Sequence, residues 1–294
     1  MPEFVYSLIY ENEYGESMNL MHYNENGGIV VASKTGFMEN QIEISMSQGI
    51  NQIGGTLQGQ SVQPRPVTIN GEFIRDAKAK RAEILRIVAP TVRGRLIYNN
   101  EWYLDGVPTT TPFVESYNYD AKFQFTLMAA YPYWQRLDAS RFTLAGFSPL
   151  FRFPWNISDP TPFRFSEIKE DLFTTIINNG SIPVPFTLEF RANATLTNPA
   201  IINVATLEFI RIGTDTRPYE MEINEIITVS HTNDEITIIS RKGDTVTDIF
   251  MYVDIDSTFF LLDRGETVIR HDASMNLQNM NAWLTMREAV VGVS

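Results

Sequence analysis

Residues 67–104 have the sequence VTINGEFIRDAKAKRAEILRIVAPTVRGRLIYNNEWYL. Apolar and polar side chains alternate over residues 67–73, which predicts a half-buried strand. Residues 76–89 are mostly good helix formers, with Asp76 where an N-cap belongs and Pro90 where the helix must stop. The two runs around Asn99-Asn100 predict a β-hairpin, because asparagine tolerates the backbone of a tight turn. This order of elements indicates a sheet with one helix covering a face.

The same alternation dominates the rest of the chain and predicts a mainly β, mostly antiparallel protein. Its strongest examples are residues 41–46, 122–127 and 184–191. Further strand candidates lie in the second half of the chain, at 204–212, 219–230, 234–241, 248–254, 257–262, 266–271 and 281–288.

The length of 294 residues suggests two domains, at roughly 100–200 residues each. The stretch from Arg141 to Asp171 contains four prolines among aromatic residues, and we interpret it as the connection between domains. We expect a first domain over residues 1–145, a β-sandwich or barrel-like fold with one covering helix. We expect a second domain over residues 146–294, an antiparallel β-sandwich.

Composition argues against several classes of protein. The net charge of −12 has the wrong sign for a protein that wraps nucleic acid or anionic lipid. The chain contains no cysteine, which excludes disulfides, thiolate zinc sites and a cysteine nucleophile. No run approaches about 20 apolar residues, so we expect no membrane insertion. Residues 1–10 lack the basic start of a secretory signal, so we expect cytosolic synthesis.

Motifs for enzymatic chemistry are missing from the sequence. The dipeptide Gly-Lys does not occur, so there is no phosphate-binding loop of the usual type. His22, His231 and His271 are not spaced as metal ligands, and each is expected at the surface or in a turn. We therefore expect no catalytic residue, no metal and no cofactor.

Asp254 and Asp256 form the best acidic pair in the sequence. Strand alternation would place both carboxylates on one face, where calcium binding or glycoside hydrolysis could use them. The same pattern fits a solvated outer strand face, and this is our interpretation. We interpret Glu220, Glu222 and Glu225 in the same way.

Two regions are candidates for contacts between subunits. Residues 45–63, SMSQGINQIGGTLQGQSVQ, carry no charge and predict either a mobile loop or a glycine-rich arm that orders against a neighbouring subunit. The interface candidates in this segment are Ile50, Ile53 and Leu57. Residues 65–95 carry a surplus of basic side chains, which fits either a solvated helix face or an electrostatic seam against an acidic partner. The candidates in this second region are Lys78, Lys80, Arg81 and Arg86.

The order of motifs along the chain resembles one known family. The elements of residues 67–104 are followed by a strand at 122–128 and by Tyr131-Pro132-Tyr133-Trp134. The second half adds INNGSIP at 177–183, TNPAI at 197–201 and STFFLLDRG at 257–265. Together these motifs resemble the distal tail (Dit) proteins of siphophages over almost the whole chain. One departure is Asp263-Arg264-Gly265-Glu266, where the family often has Pro-Gly-x-Asn.

The resemblance implies a non-enzymatic structural protein of the virion tail tip, synthesised in the host cytoplasm. It implies that the N-terminal domains form a hexameric ring between the tail tube protein and the tail-associated hub protein. It also implies that galectin-like C-terminal domains project outward, where receptor-binding proteins can attach. DNA would pass through the channel without sequence-specific binding, and an acidic protein suits such passage because it repels DNA. Contractile tails and phage-tail-like bacteriocins contain similar proteins, so the tail type stays open.

Two other functions stay open at this point. The predicted second domain contains tyrosine and tryptophan and could be a carbohydrate-binding module, although many β-sandwiches bind no sugar. A glycoside hydrolase or another enzyme would have to use Asp254 and Asp256. A structural hub is the function that we expect.

Overall fold

The computed structural model of the protein describes residues 6–24, 27–149, 166–168, 172–232 and 235–294. The chain forms two compact units: unit 1 comprises residues 1–138 and 289–294, and unit 2 comprises residues 139–288. The division therefore falls before residue 139, whereas the sequence suggested 145/146. Most of the predicted connection between Arg141 and Asp171 lies outside the described residues.

Unit 1 is built mainly on one antiparallel sheet. Its first twelve strands and its helix are β1 (Leu8–Asn12), β2 (Ser17–Asn19), β3 (His22–Asn24), β4 (Gly27–Thr35), β5 (Ile42–Ser47), β6 (Thr56–Val62), β7 (Arg65–Ile74), α1 (Ala77–Ile87), β8 (Gly94–Tyr98), β9 (Trp102–Pro108), β10 (Phe113–Val114), β11 (Ala121–Ala129) and β12 (Trp134–Arg136). The main sheet has the order β2-β1-β8-β9-β11-β7-β4-β3. The predicted hairpin is confirmed as β8–β9, with positive φ at Asn99 and Asn100.

The core of unit 1 follows from the alternation in β7 and β11. Val67, Ile69 and Phe73 point inward from β7, as do Phe123 and other residues of β11. The rings of Phe73 and Phe123 stack with centroids 4.6 Å apart. Gly71 makes this packing possible, because a Cβ there would lie 2.3 Å from Cζ of Phe123.

Helix α1 confirms the predicted helix, but it does not begin as expected. Asp76 has a left-handed backbone (φ 49°) and its side chain makes no capping hydrogen bond. The neighbouring segment satisfies the start instead: Arg75 N donates to Asp120 Oδ1 at 2.8 Å, and Ala77 N donates to the Tyr119 carbonyl at 3.3 Å. Within the described residues no helix has the length and apolar character needed to span a bilayer.

Unit 2 contains two larger antiparallel sheets. Its strands are β13 (Ser140–Ala145), β14 (Phe147–Pro149), β15 (Ser166–Ile168), β16 (Phe173–Asn178), β17 (Phe186–Ala192), β18 (Leu196–Asn203), β19 (Phe209–Arg211), β20 (Glu220–Met221), β21 (Ile226–His231), β22 (Ile236–Lys242), β23 (Thr245–Asp248), β24 (Gly265–Met275) and β25 (Met280–Met286). One sheet has the order β13-β25-β17-β21-β22-β23, and the other β16-β24-β18-β19 with β20 beside β18. Alternate side chains are buried in strands of both sheets, which is the pattern of a β-sandwich. The fold is therefore mainly β, as the sequence predicts.

The boundary between the units is explained by strand pairing. Strand β13 belongs to unit 2 because it pairs with β25 over residues 140–145. The chain returns to unit 1 at β26 (Ala289–Val290), which pairs with β12.

Some of the predicted strands in the second half are wrong. Residues 250–252 form a 3-10 turn rather than part of a strand at 248–254. Residues 257–262 form no strand, although Leu262 makes an isolated antiparallel β-bridge to Val184. Only residues 209–211 of the predicted strand at 204–212 pair as a strand, with β18.

Candidate assembly surface

Residues 42–62 form a two-stranded hairpin, which we call the hairpin arm. Its strands β5 and β6 pair with each other and with no other strand of the described chain. Every residue of both strands is exposed. The strand predicted at 41–46 is confirmed, but it is exposed on both faces rather than half-buried. The segment 45–63, predicted as a loop or an arm, forms most of the remainder of the hairpin.

One face of the hairpin arm is apolar. Side chains opposite each other across an antiparallel pair lie on the same face. Ile42 lies opposite Val62 and Met46 opposite Leu57, and Ile44 lies between them on the same face of β5. Gln60 lies opposite Ile44, so this face is apolar except for one amide side chain. The other face carries polar residues, namely Glu43, Ser45, Ser47, Thr56 and Ser61. A half-apolar hairpin with both faces in solvent is typical of a segment that a partner covers, because isolated two-stranded hairpins are only marginally stable.

The tip of the hairpin arm extends the apolar surface. Ile50 and Ile53 are almost fully exposed, at 97% and 103% of their reference areas. Leu57, the third predicted interface residue, lies on the apolar face and is 57% exposed. The structure thus places all three predicted residues on one projecting element.

A buried arginine holds the base of the hairpin arm. Arg65 is 2% exposed. Its guanidinium donates to the carbonyl of Phe37 at 3.3 Å, to Asn40 Oδ1 and to the carbonyl of Val291. The Phe37 carbonyl also accepts from Trp134 Nε1 and from the backbone N–H of Val293, both at 3.1 Å. The residues that flank the arm are therefore tied to the segment that follows β26, and all of these contacts lie in unit 1.

The charge of Arg65 is maintained despite its burial. Burial lowers the pKa of Arg65 to about 10, which still leaves the guanidinium protonated at neutral pH. We did not single out Arg65 from the sequence, although a signal was present. It is in phase with Val67 and Ile69, which places it on the inner face of β7.

The predicted basic residues of helix α1 have different surroundings. Arg81 donates to the carbonyls of Glu115 and Tyr117, and Arg86 forms an ion pair with Glu16. Their charges therefore serve contacts within unit 1. Lys78 is exposed and Lys80 is partly exposed. The electrostatic seam that the sequence suggested at Lys78, Lys80, Arg81 and Arg86 stays a prediction.

Of the acidic residues singled out in unit 2, Asp254 and Glu225 are buried and have structural roles, whereas Glu220, Glu222 and Asp256 are exposed. Asp254 does not lie on a strand: it is 8% exposed and accepts from the backbone N–H of Asp256 at 3.1 Å and from Arg211 Nη1 at 3.5 Å. The expectation that both aspartates share a strand face is wrong, because the Asp254 carboxylate folds back onto its own turn. Glu225 is also buried, at 1% exposure, and is not on a solvated face.

The three histidines occupy different environments. His22 is exposed, and His231 is half-buried, where burial lowers its pKa. His271 is 4% exposed within β24, so the expectation of a surface or turn position is wrong for this residue. No group of three or more histidine, aspartate or glutamate side chains within the described ranges is arranged to hold a metal ion.

The fold of the chain is shared with solved phage proteins. No family model and no curated protein matches the sequence. The structure is similar to that of SPP1 Dit, described as a hub of the adsorption apparatus in phages that infect Gram-positive bacteria, with a TM-score of 0.66 and 13% identity over 97% of this chain and 99% of that chain. It is also similar to chains of the phage P2 baseplate in its activated conformation with Ca and with Sr, with TM-scores of 0.55 and 0.53, each at 14% identity over 99% of this chain and 100% of that chain. The likeness thus covers nearly the full length of each of these proteins.

Proposed function

We propose that the chain is a structural hub protein of a phage tail tip. In this proposal six copies close into a ring through their first units, and the ring joins the tail tube protein to the tip proteins. DNA passes through the ring without being read, and the second units face outward, where receptor-binding proteins attach. The fold shared with SPP1 Dit and the P2 baseplate chains supports the hub role.

The observation that carries the ring is the uncovered apolar face of the hairpin arm. A closed ring needs two different patches on each subunit, one of which docks on the next copy. Burying one large aliphatic side chain contributes about 1.5–3 kcal/mol. The exposed aliphatic residues of the arm can therefore offset a typical association cost of roughly 4–15 kcal/mol.

The charge of the chain favours an apolar contact over an ionic one. Each copy carries a net charge of −12, so six copies repel one another. Glu43 is the only charged residue between Ile42 and Val62, so the arm can approach a neighbouring copy with little repulsion. We therefore expect ring formation to persist or increase as salt is raised. A seam that depended on Lys78 and Lys80 would instead weaken, because salt screens exposed charges.

The test is the mass and shape of the full chain in solution. Size-exclusion chromatography with light scattering and negative-stain imaging should show closed six-membered rings. The double variant Ile44→Glu/Leu57→Glu places two charges on the apolar face and should be monomeric at the same concentration.

A matched control is available on the same hairpin. Ser45→Glu and Thr56→Glu add the same charges to the polar face, next in sequence to Ile44 and Leu57, and this double variant should still form rings. The proposal fails if the wild-type chain stays monomeric at high concentration and high salt. It also fails if variants of the two faces assemble equally well.

A further inference from the structure

Unit 2 contains a cleft that the proposed hub role does not use. The cleft has a volume of about 340 Å³ and lies beside β20 and the β22–β23 hairpin. Strand β23 is the edge of its sheet, and all four of its residues are exposed. The cleft walls include Tyr219, Glu220, Ser240, Lys242, Thr247 and Tyr252. Such a concave site with a few convergent polar groups is the usual form of a small-molecule site.

A buried carboxylate fixes the polar wall of the cleft. Glu225 accepts from Tyr219 Oη at 2.6 Å and from Ser240 Oγ at 2.5 Å, and Lys242 Nζ lies 3.4 Å from its Oε2. Lys242 Nζ also bonds Glu222 Oε1 at 3.1 Å. Burial raises the pKa of Tyr219, so its hydroxyl remains a donor to Glu225. The three cleft side chains are therefore held in position before any ligand arrives.

Two aromatic rings form a corner of the cleft. Tyr219 and Tyr252 meet at an interplanar angle of 72°, with their centroids 5.0 Å apart. The guanidinium carbon of Arg217 lies 4.6 Å from the centroid of the Tyr252 ring and helps to hold that ring. Both rings are partly exposed and line the cleft next to hydroxyl and charged groups.

The mixture of groups determines which ligand fits. Ring surface beside hydroxyl donors and acceptors suits a molecule with a C–H face and many hydroxyl groups. The positive charges at the cleft are Lys242 and the nearby Arg217, and they are outnumbered by Glu220, Glu222 and Glu225. The cleft therefore has no net positive charge to attract a phosphate or a sugar acid. We propose that this cleft binds a neutral sugar in its pyranose form, with the ring packed on the tyrosine corner and the hydroxyls bonded by Lys242, Glu220 and Thr247. This inference concerns unit 2 alone and does not depend on ring assembly.

The test is saturation-transfer difference NMR on the full chain with glucose, galactose, mannose and N-acetylglucosamine at millimolar concentrations. At least one of these sugars should give a signal. Tyr252→Ala should weaken its binding at least about tenfold, because an aromatic contact is lost. Tyr252→Phe keeps the ring and should bind within about twofold of wild type. Thr247→Val keeps the shape of an exposed side chain, removes one hydroxyl, and should weaken binding by about threefold or more.

The control is Tyr117→Ala, which removes a tyrosine that is 67% exposed in unit 1 and should leave sugar binding unchanged. Thermal unfolding of each variant separates lost binding from lost folding, and Thr247→Val keeps the test decisive if Tyr252→Ala does not fold. The inference is overturned if none of the four sugars gives a signal, or if Thr247→Val and Tyr252→Ala bind as wild type does. It is also overturned if glucuronate binds and the neutral sugars do not. Ring formation should be normal in all of these variants, so the two proposals fail independently.

Discussion

Arg65→Met is the sharpest test of how unit 1 holds its hairpin arm. Methionine keeps much of the apolar stem of arginine but cannot donate a hydrogen bond. The change therefore removes the donations to Phe37, Asn40 and Val291 and leaves the packing of β7 largely intact.

The size of the effect follows from two opposing terms. Three hydrogen bonds from a charged donor contribute roughly 4.5–9 kcal/mol at about 1.5–3 kcal/mol each. Removing the buried charge relieves a desolvation cost of several kcal/mol, which offsets about half of that loss. We expect unit 1 to lose about 2–4 kcal/mol of unfolding free energy. At about 3 °C per kcal/mol, this lowers its Tm by roughly 6–12 °C.

The assay is urea unfolding with calorimetry, together with hydrogen exchange at residues 37–40 and 289–293. Exchange should accelerate in both segments, because Arg65 joins them. The matched control is Arg95→Met: Arg95 pairs with Asp105 at 2.6 Å, but both side chains are well exposed, so we expect a cost of about 0–1 kcal/mol. If the two variants differ by less than about 0.5 kcal/mol, the claim that Arg65 holds the base is wrong.

Two further substitutions test the packing of each unit. Gly71→Ala should destabilise unit 1 by about 1–3 kcal/mol in urea unfolding, because the new Cβ would collide with Phe123. The control Gly59→Ala should be nearly neutral, because its Cβ would have no neighbouring atom within 4 Å. Glu225→Gln should destabilise unit 2 by about 1–3 kcal/mol, because it weakens the hydrogen bonds that the buried carboxylate accepts. The control Glu220→Gln changes an exposed residue and should alter the free energy of unfolding by less than about 0.5 kcal/mol.

Local sequence patterns predicted the structure correctly where neighbouring residues determine the backbone conformation. Asn99 and Asn100 adopt the left-handed backbone that their side chains tolerate, and the hairpin forms where the sequence predicts it. Helix α1 ends before Pro90, because proline cannot continue it. Alternation likewise identified β7 and β11, since each strand buries one face against the core.

Local rules failed where distant residues decide the outcome. The start of α1 is satisfied by residues 119 and 120, so Asp76 has no capping role to fill. Asp254 lies in a turn, where it accepts a hydrogen bond from Arg211 at the end of β19. The alternation within residues 248–256 cannot predict this contact, because Arg211 is distant in the sequence. The base of the hairpin arm depends on Val291, which is 226 positions from Arg65 in the sequence. Sequence periodicity identifies faces, but it does not show which faces meet.

The hairpin arm is proposed to serve assembly and its base to serve the stability of unit 1, and the proposed variants test these two roles separately. The apolar face of the arm is already in solvent, so charges at Ile44 and Leu57 should cost unit 1 little stability while they prevent contact with another copy. Arg65 is buried, and its hydrogen bonds go to Phe37, Asn40 and Val291, none of which lies in the hairpin arm. Its loss should therefore lower the stability of unit 1 first and affect assembly only through the position of the arm. If both kinds of variant lowered the Tm equally, the arm would contribute to the stability of unit 1 rather than serve as an exposed surface for contact with another copy. If neither changed assembly, the apolar face would not be the contact between copies.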